Sequence, residues 1–364
     1  MRNRLLPGRL YPVALVDRLS PGTISARQWA RVLTLAAGLI LGLAAAYLAV
    51  SGWQPIAVVI IFALPALLLV HRHPFLTVLV WLTLMPFLLH TDTVAERYVY
   101  WGVHRLLPPL TIIMIVAGSA LHIQPRRLPR LNLAELAMAG YVLVSFVSIY
   151  LLSHSPVATA ILFYDRIVVA MCLYFIVRLA EPADRDLRGL IPVAVFIVLT
   201  QAAVGIAAWF APGLVPGEWM ENAGERTVGT LVNAAIYTIA LLFAGLILLH
   251  AGLRSDRPGL RRLYVFCFLL AGYCTFLSFS RASWIGGLLI AAALVLVYPR
   301  FMLKLAAITI PLVLLGSAVL TSQIEWARER LTSDEAENSA LSRLPIMVGA
   351  YNMFLEKPFF GWGY

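Results

Sequence analysis

The sequence is poor in charge. Only 13% of its 364 residues are Asp, Glu, Lys or Arg, while 61% are hydrophobic, and a soluble domain carries about a quarter charged residues. That shortage excludes an ordinary water-soluble chain and points to an integral membrane protein. Cysteine is scarce as well. Cys172, Cys267 and Cys274 all fall inside apolar runs, and neither a CxxC pair nor Cys/His ligand spacing occurs, so no disulfide framework, metal site or metal cofactor is expected. Cys267 and Cys274 share one helix face and read as small packing residues. No repeat of fixed period and no low-complexity stretch is present. The net charge of +10 raises nucleic acid as a partner, but the arginines are scattered between apolar spans, which fits membrane orientation instead.

What the chain does have is hydrophobic length. Apolar runs long enough to cross a hydrocarbon core of roughly 30 Å recur from Arg31 to Leu320. They place eleven spans near 30–50, 55–70, 75–90, 107–122, 133–152, 158–179, 190–210, 231–250, 263–279, 283–298 and 303–320. Inside a bilayer the main chain must satisfy itself within helices. The fold class is therefore all-α, a polytopic transmembrane helical bundle with an outer-loop helical segment at the C-terminus. Residues 1–29 form a basic cytoplasmic leader, 30–320 the membrane domain and 321–364 the start of a large extracytoplasmic loop. The first span is too long for a signal peptide and reads as uncleaved.

Lys and Arg gather in alternate loops on the side of the N-terminus, which makes that side cytoplasmic. Up to residue 320, only Arg97, Arg105, Arg166, Arg226 and Arg281 fall on the other side. Beyond it, Leu341, Leu344, Val348, Tyr351 and Leu355 recur at helical spacing, with Asn338 or Ser339 as cap and Pro358 as stop. This helix is expected on the outer face. The chain stops at Tyr364 inside an aromatic, glycine-rich segment and reads as C-terminally truncated.

The five exceptional arginines differ in setting. Arg97 and Arg105 stand among Tyr98, Tyr100 and Trp101 and read as solvated charges of an aromatic belt. Arg166 follows Asp165, and a local ion pair and a site role are both open. Arg226 precedes the eighth span in "ERTVGTLVNAAIY"; in a helical register Asn233 lies on its face at i+7, and Gly229 allows close approach of the backbone. Arg281 sits at the corner "LSFSRASWIG" between two spans, with Ser278, Ser280 and Ser283 around it. Snorkelling alone makes Arg281 tolerable there. Two arginines on one rim beside hydroxyl and amide groups suit a phosphate or pyrophosphate, which guanidinium binds bidentately.

Three segments in this order resemble the O-antigen ligase and polysaccharide polymerase superfamily: "RTVGTLVNAAIY", "LSFSRASWIGGLL" and "SRLPIMVGAYNMFLEKPFFGWGY". The resemblance implies a membrane glycosyltransferase in the bacterial cytoplasmic membrane, with its site on the extracytoplasmic face. It would move a glycan from an undecaprenyl pyrophosphate carrier to a lipid or glycan acceptor, as in lipopolysaccharide and other cell-envelope polysaccharide biosynthesis, without a cofactor. It implies catalytic roles for Arg226 and Arg281 in holding the donor pyrophosphate. Substrate-binding candidates are Asn233, Ser280, Ser283, Arg166 and Arg343. Two departures stand out. Ala234 and Ala235 follow Asn233 where the family often has Pro-Asn, and the family's His-Asn motif, the source of its proposed base, would lie past Tyr364, so this chain is expected to be inactive as it stands. The rival reading is a transporter or flippase for a lipid-linked or anionic substrate, which would place ionisable groups near the bilayer midplane in repeated halves.

Overall fold

In a computed structural model, the described residues are 69–90, 93–121, 129–221, 226–231, 233–311, 341–358 and 361–362, with single positions at 43, 47, 51, 321, 325 and 328. The chain divides into two units, and Val70–Ala120 with Arg126–Tyr364 form the one described below. The basic leader and, apart from residues 43, 47, 69 and 70, the first two expected spans lie outside the described residues.

Helix α1 (Phe75–Leu84) tightens into a 3-10 turn, Met85–Phe87, at Pro86, which has no main-chain donor to continue an α-helical ladder. Helix α2 runs Val94–Ala120. It starts well before the expected 107–122 span because Thr93 and Glu96 form a capping box, and this satisfies main-chain donors at the new start. Much of the stretch read as an outward loop is thus helical. Helices α3 (Leu133–Leu152) and α4 (Pro156–Ala180) follow at the expected places. A second capping box, Asn132 with Glu135, opens α3. The Glu135 carboxylate also accepts hydrogen bonds from Arg178 Nε at 3.1 Å and Tyr174 OH at 3.2 Å, both on α4.

After a short turn at Asp184–Leu187, α5 covers Leu190–Phe210. The connection to α6 (Ala234–Arg254) contains a two-residue antiparallel ladder of β1 (Met220–Glu221) and β2 (Arg226–Thr227). Then come α7 (Pro258–Leu277) and α8 (Arg281–Val297), and residues 299–311 are again helical. Helix α9 (Arg343–Glu356) stands where a helix was expected after the last span, with Ser342 at its N-cap. The expected caps Asn338 and Ser339 lie outside the described residues.

Among the described residues, six helices are long and apolar enough to cross a membrane, and α1 with its extension and α8 are shorter apolar helices. The bundle's core is where α5, α6 and α7 meet. Ala202, Leu241, Leu248, Cys267, Ala271 and Cys274 are buried there, and the small residues let the helices approach closely. Both cysteines are packing residues. Outside that core, large apolar side chains such as Leu143, Leu151, Phe243 and Leu288 are turned outward, as expected for a surface whose solvent is hydrocarbon.

Candidate functional site

The segment from Arg226 to Asn233 is not helical. Arg226 and Thr227 are strand β2, which packs against α5 and α7, and the next residues dive into the bundle. Thr227, Val228, Thr230 and Leu231 are buried. A buried extended segment must find partners for its polar groups, and Gln201, in the middle of α5, supplies them. The Gln201 amide donates to Thr230 Oγ1 at 2.7 Å, and its carbonyl accepts from Thr230 N at 3.0 Å. Thr230 Oγ1 donates in turn to the Pro86 carbonyl at 2.7 Å. One threonine thereby ties the segment to α5 and to the end of α1.

Gly229 makes this path possible. Its φ of +61° is a left-handed conformation, and a Cβ there would sit 2.2 Å from Gln201 Oε1 and 2.7 Å from Tyr237 Cε2. The close approach expected of Gly229 therefore holds. The helical i+7 register between Arg226 and Asn233 does not, because Gly229 turns the chain and the helix begins only at Ala234. Asn233 is its N-cap: its side-chain oxygen accepts from Ile236 N at 2.9 Å, satisfying one of the helix's orphan donors.

The corner holding Arg281 is built from aromatic rings. Phe279 is buried with a φ of +49°, a conformation costing a bulky residue about 1–3 kcal/mol unless its surroundings hold it. Trp209, Phe276 and Trp284 pack around it with ring centroids 5.1, 5.9 and 6.1 Å away. The Trp284 indole also donates to the Phe276 carbonyl at 3.1 Å. This reversal lets α7 end at Leu277 and α8 start at Arg281 with almost no loop.

The three serines were expected to surround the guanidinium, and two have other partners. Ser278 Oγ is buried and donates to the Thr275 carbonyl at 2.7 Å. Ser283 Oγ is hydrogen-bonded to Thr238 Oγ1 of α6. Both are drawn inward because a hydroxyl near a helix end in an apolar bundle must find a partner. Ser280 is the N-cap of α8, but its side chain makes no capping bond. The Ser283–Thr238 contact has a further consequence. It joins the first turns of α8 and α6, so Arg281 and Asn233 mark helix starts on the same end of the bundle. The Trp209–Phe279 contact brings the end of α5 there too. Arg343 is exposed in the first turn of α9.

A second cluster was misread. Arg105 is no solvated belt charge: its Nε and Nη2 meet the two Asp165 oxygens at 2.7 and 2.6 Å, and the side chains are only 17% and 15% exposed. The local Asp165–Arg166 pair is overturned accordingly. Two π-helical turns, Trp101–Leu106 and Tyr164–Val168, carry these residues. Such turns loosen the regular ladder, and each here offers a carbonyl across the gap. Tyr164 OH donates to the Arg105 carbonyl at 2.6 Å, and His104 Nε2 lies 3.2 Å from that of Asp165. His104 Nδ1 accepts from Trp81 Nε1 at 3.2 Å, which assigns the proton to Nε2. Both ring nitrogens are engaged, so His104 is no candidate base.

Gln201 was missed in the sequence. Its signal is a lone amide in the apolar run "LIPVAVFIVLTQAAVGIAAWF", since a polar side chain inside a span needs a dedicated partner. Among the described residues, no group of three or more potential ligands is placed to hold a metal. Neither a curated protein nor a solved structure matches the chain. The family described as O-Antigen ligase matches residues 266–364, which include the Arg281 corner and α9 but not the Arg226 segment. Through this C-terminal part, the chain is similar to the O-antigen ligase family.

Proposed function

We propose that this protein transfers a glycan from an undecaprenyl pyrophosphate carrier to a lipid or glycan acceptor, on the extracytoplasmic face of the bacterial cytoplasmic membrane. One observation carries the reading: Arg281 occupies the first position of α8. A helix's positive dipole end and unpaired N–H groups lie at its N-terminus, so a cation placed only for stability belongs at the other end. Here guanidinium and helix terminus add, and Ser280 leaves the first turn without a side-chain cap. That combination favours an anion.

In the proposed reaction the bond between the sugar's anomeric carbon and the pyrophosphate oxygen breaks, and its electron pair stays on that oxygen. The acceptor hydroxyl oxygen forms the new glycosidic bond and releases its proton to a base. Negative charge grows on the leaving pyrophosphate as the bond lengthens. Arg281, with Arg226 from the neighbouring segment, stabilises that charge more in the transition state than in the bound donor. Ser280 is the hydroxyl best placed to assist. Asn233 and Ser283 serve instead as positioning residues, fixing the starts of α6 and α8. Arg343 remains a candidate contact for the sugar chain.

The test is a transfer assay with full-length protein in liposomes, a lipid pyrophosphate donor and an acceptor glycolipid. Arg281→Ala and Arg226→Ala are each expected to abolish most transfer while leaving the protein folded. Wild-type rates in both variants would overturn the mechanism, and donor translocation without covalent transfer would replace it with a flippase.

A further inference from the structure

Two stretches of irregular main chain meet inside this bundle. One is residues 226–231, tied through Thr230 to Gln201 in the middle of α5. The other follows α1. Ten α-helical residues and a three-residue 3-10 turn carry α1 only to Phe87, about 20 Å at 1.5–2.0 Å per residue, against a hydrocarbon core of roughly 30 Å. The chain then bends through residues 88–90 instead of continuing as helix. The two stretches are joined where Thr230 Oγ1 donates to the Pro86 carbonyl at 2.7 Å. They also pack together, since Leu89 lies against the buried cluster that includes Leu231 and Tyr237. Non-helical main chain among membrane helices persists where protein covers it or where it lines a polar site.

The polar atoms of these stretches stand out. Among the described residues, two buried side-chain nitrogen or oxygen atoms lack a hydrogen-bond partner, His90 Nε2 and Thr227 Oγ1, and each belongs to one of the two stretches. For Thr227 the buried Tyr237 hydroxyl is close at hand, which leaves His90 as the group that the fold does not answer. His104 shows the alternative, with both of its ring nitrogens hydrogen-bonded. Burying an unanswered polar atom costs free energy. A bundle that completes His104 and leaves His90 open holds the second ring for a group that arrives from outside.

We infer that His90 is a specificity-determining residue of the transfer site, its Nε2 hydrogen-bonding a hydroxyl of the sugar that the donor's pyrophosphate carries. The inference rests on the transfer reading above. In that reading Arg226 and Arg281 take the pyrophosphate, and the sugar is the next group along the donor. A hydroxyl suits an imidazole nitrogen because it can both donate and accept, whichever ring tautomer is present. Nε2 is shielded from water, so the sugar reaches it by displacing a covering side chain, a rotamer change of the kind common at binding interfaces. Thr230 holds the end of α1 against the segment that carries Arg226, so sugar and pyrophosphate are read by two stretches tied to each other. A site built to bond a substrate hydroxyl also rejects donors that lack it, because its own polar group then stays unpaired.

The experiment measures kcat/KM and donor Kd for the full-length protein in liposomes, with a lipid pyrophosphate donor and a set of analogues that each lack one hydroxyl of the pyrophosphate-linked sugar. Wild type is expected to disfavour one deoxy donor at least tenfold in kcat/KM. His90→Ala should lose about the same factor with the complete donor and treat that deoxy donor no worse. His90→Gln, which keeps a hydrogen-bonding group, should recover part of the preference. Tm should change little in either variant, since no hydrogen bond of Nε2 within the protein is removed. Arg281→Ala should weaken transfer from every donor alike, which separates sugar recognition from charge stabilisation. A wild type indifferent to every missing hydroxyl, undiminished discrimination in His90→Ala, or an equal loss with every donor in that variant would overturn the inference. A His90-dependent preference in donor Kd without covalent transfer supports the sugar contact and overturns the transfer reading instead.

Discussion

Arg105 and Arg281 both belong to apolar helices of the same bundle, and the chain treats them in opposite ways. Arg105 is clamped by both oxygens of Asp165 and lies over the Trp101 ring with its guanidinium carbon 4.3 Å from the centroid. Its charge is neutralised inside the protein. Arg281 is at a helix start, where the backbone adds positive potential instead of removing it. By geometry the Arg105–Asp165 pair ties α2 to α4, whereas the corner of α7 and α8 is the site proposed for the donor's leaving group.

The sharpest test of the contrast separates stability from activity. Arg105→Ala leaves Asp165, 15% exposed, without its guanidinium partner; loss of one member of a fully buried pair costs about 3–5 kcal/mol, and a loss somewhat below that is to be read as a lowered midpoint of unfolding. Replacing both, Arg105→Met with Asp165→Leu, should recover most of the loss, since apolar pairs of similar volume are often as stable. Arg281→Ala should do the reverse. Transfer is expected to fall about 10²–10³-fold, the usual effect of deleting a preorganised charge stabiliser, with a smaller change of midpoint than in Arg105→Ala. Arg281→Lys should also lose much activity, because an ammonium lacks the planar fork.

Smaller effects test the scaffold beneath the site. Gly229→Ala forces a side chain into a left-handed conformation, roughly 1–2 kcal/mol by itself, and drives its Cβ into Gln201 Oε1. Both the unfolding midpoint and transfer should fall, since the Arg226 segment must move. Asn233→Ala removes an N-cap worth about 1 kcal/mol; a much larger loss of transfer than of stability would assign Asn233 direct contact with the substrate. Ser283→Ala should matter least, about 1 kcal/mol or below for a single hydrogen bond, because Thr238 also bonds the carbonyls of Ala234 and Ala235.

Hydrophobic length alone placed α3 to α8, because a bilayer permits few other ways to bury a main chain. The extent of α2 was harder to read. Its first turns are polar and aromatic, and only the Thr93–Glu96 box marks their start. The motif residues of the candidate site were legible as letters, but their geometry was not. "RTVGTLVNAAIY" reads as helix by its apolar content, yet Gly229 and the distant Gln201 hold the first half in a strand and a turn. Ser278 and Ser283 look like donors for Arg281, and partners on Thr275 and Thr238 claim them.

The sequence by itself determined that this is a membrane bundle, that its C-terminal part resembles the O-antigen ligases, and which arginines are out of place among its spans. Those properties depend on composition, run length and local motif, which are written residue by residue. Only the tertiary structure decided which charges are already satisfied. Asp165 pairs with Arg105 from another helix and not with its own neighbour Arg166. Pairing of this kind depends on which helix faces lie against each other, a long-range property that no local pattern in the chain encodes.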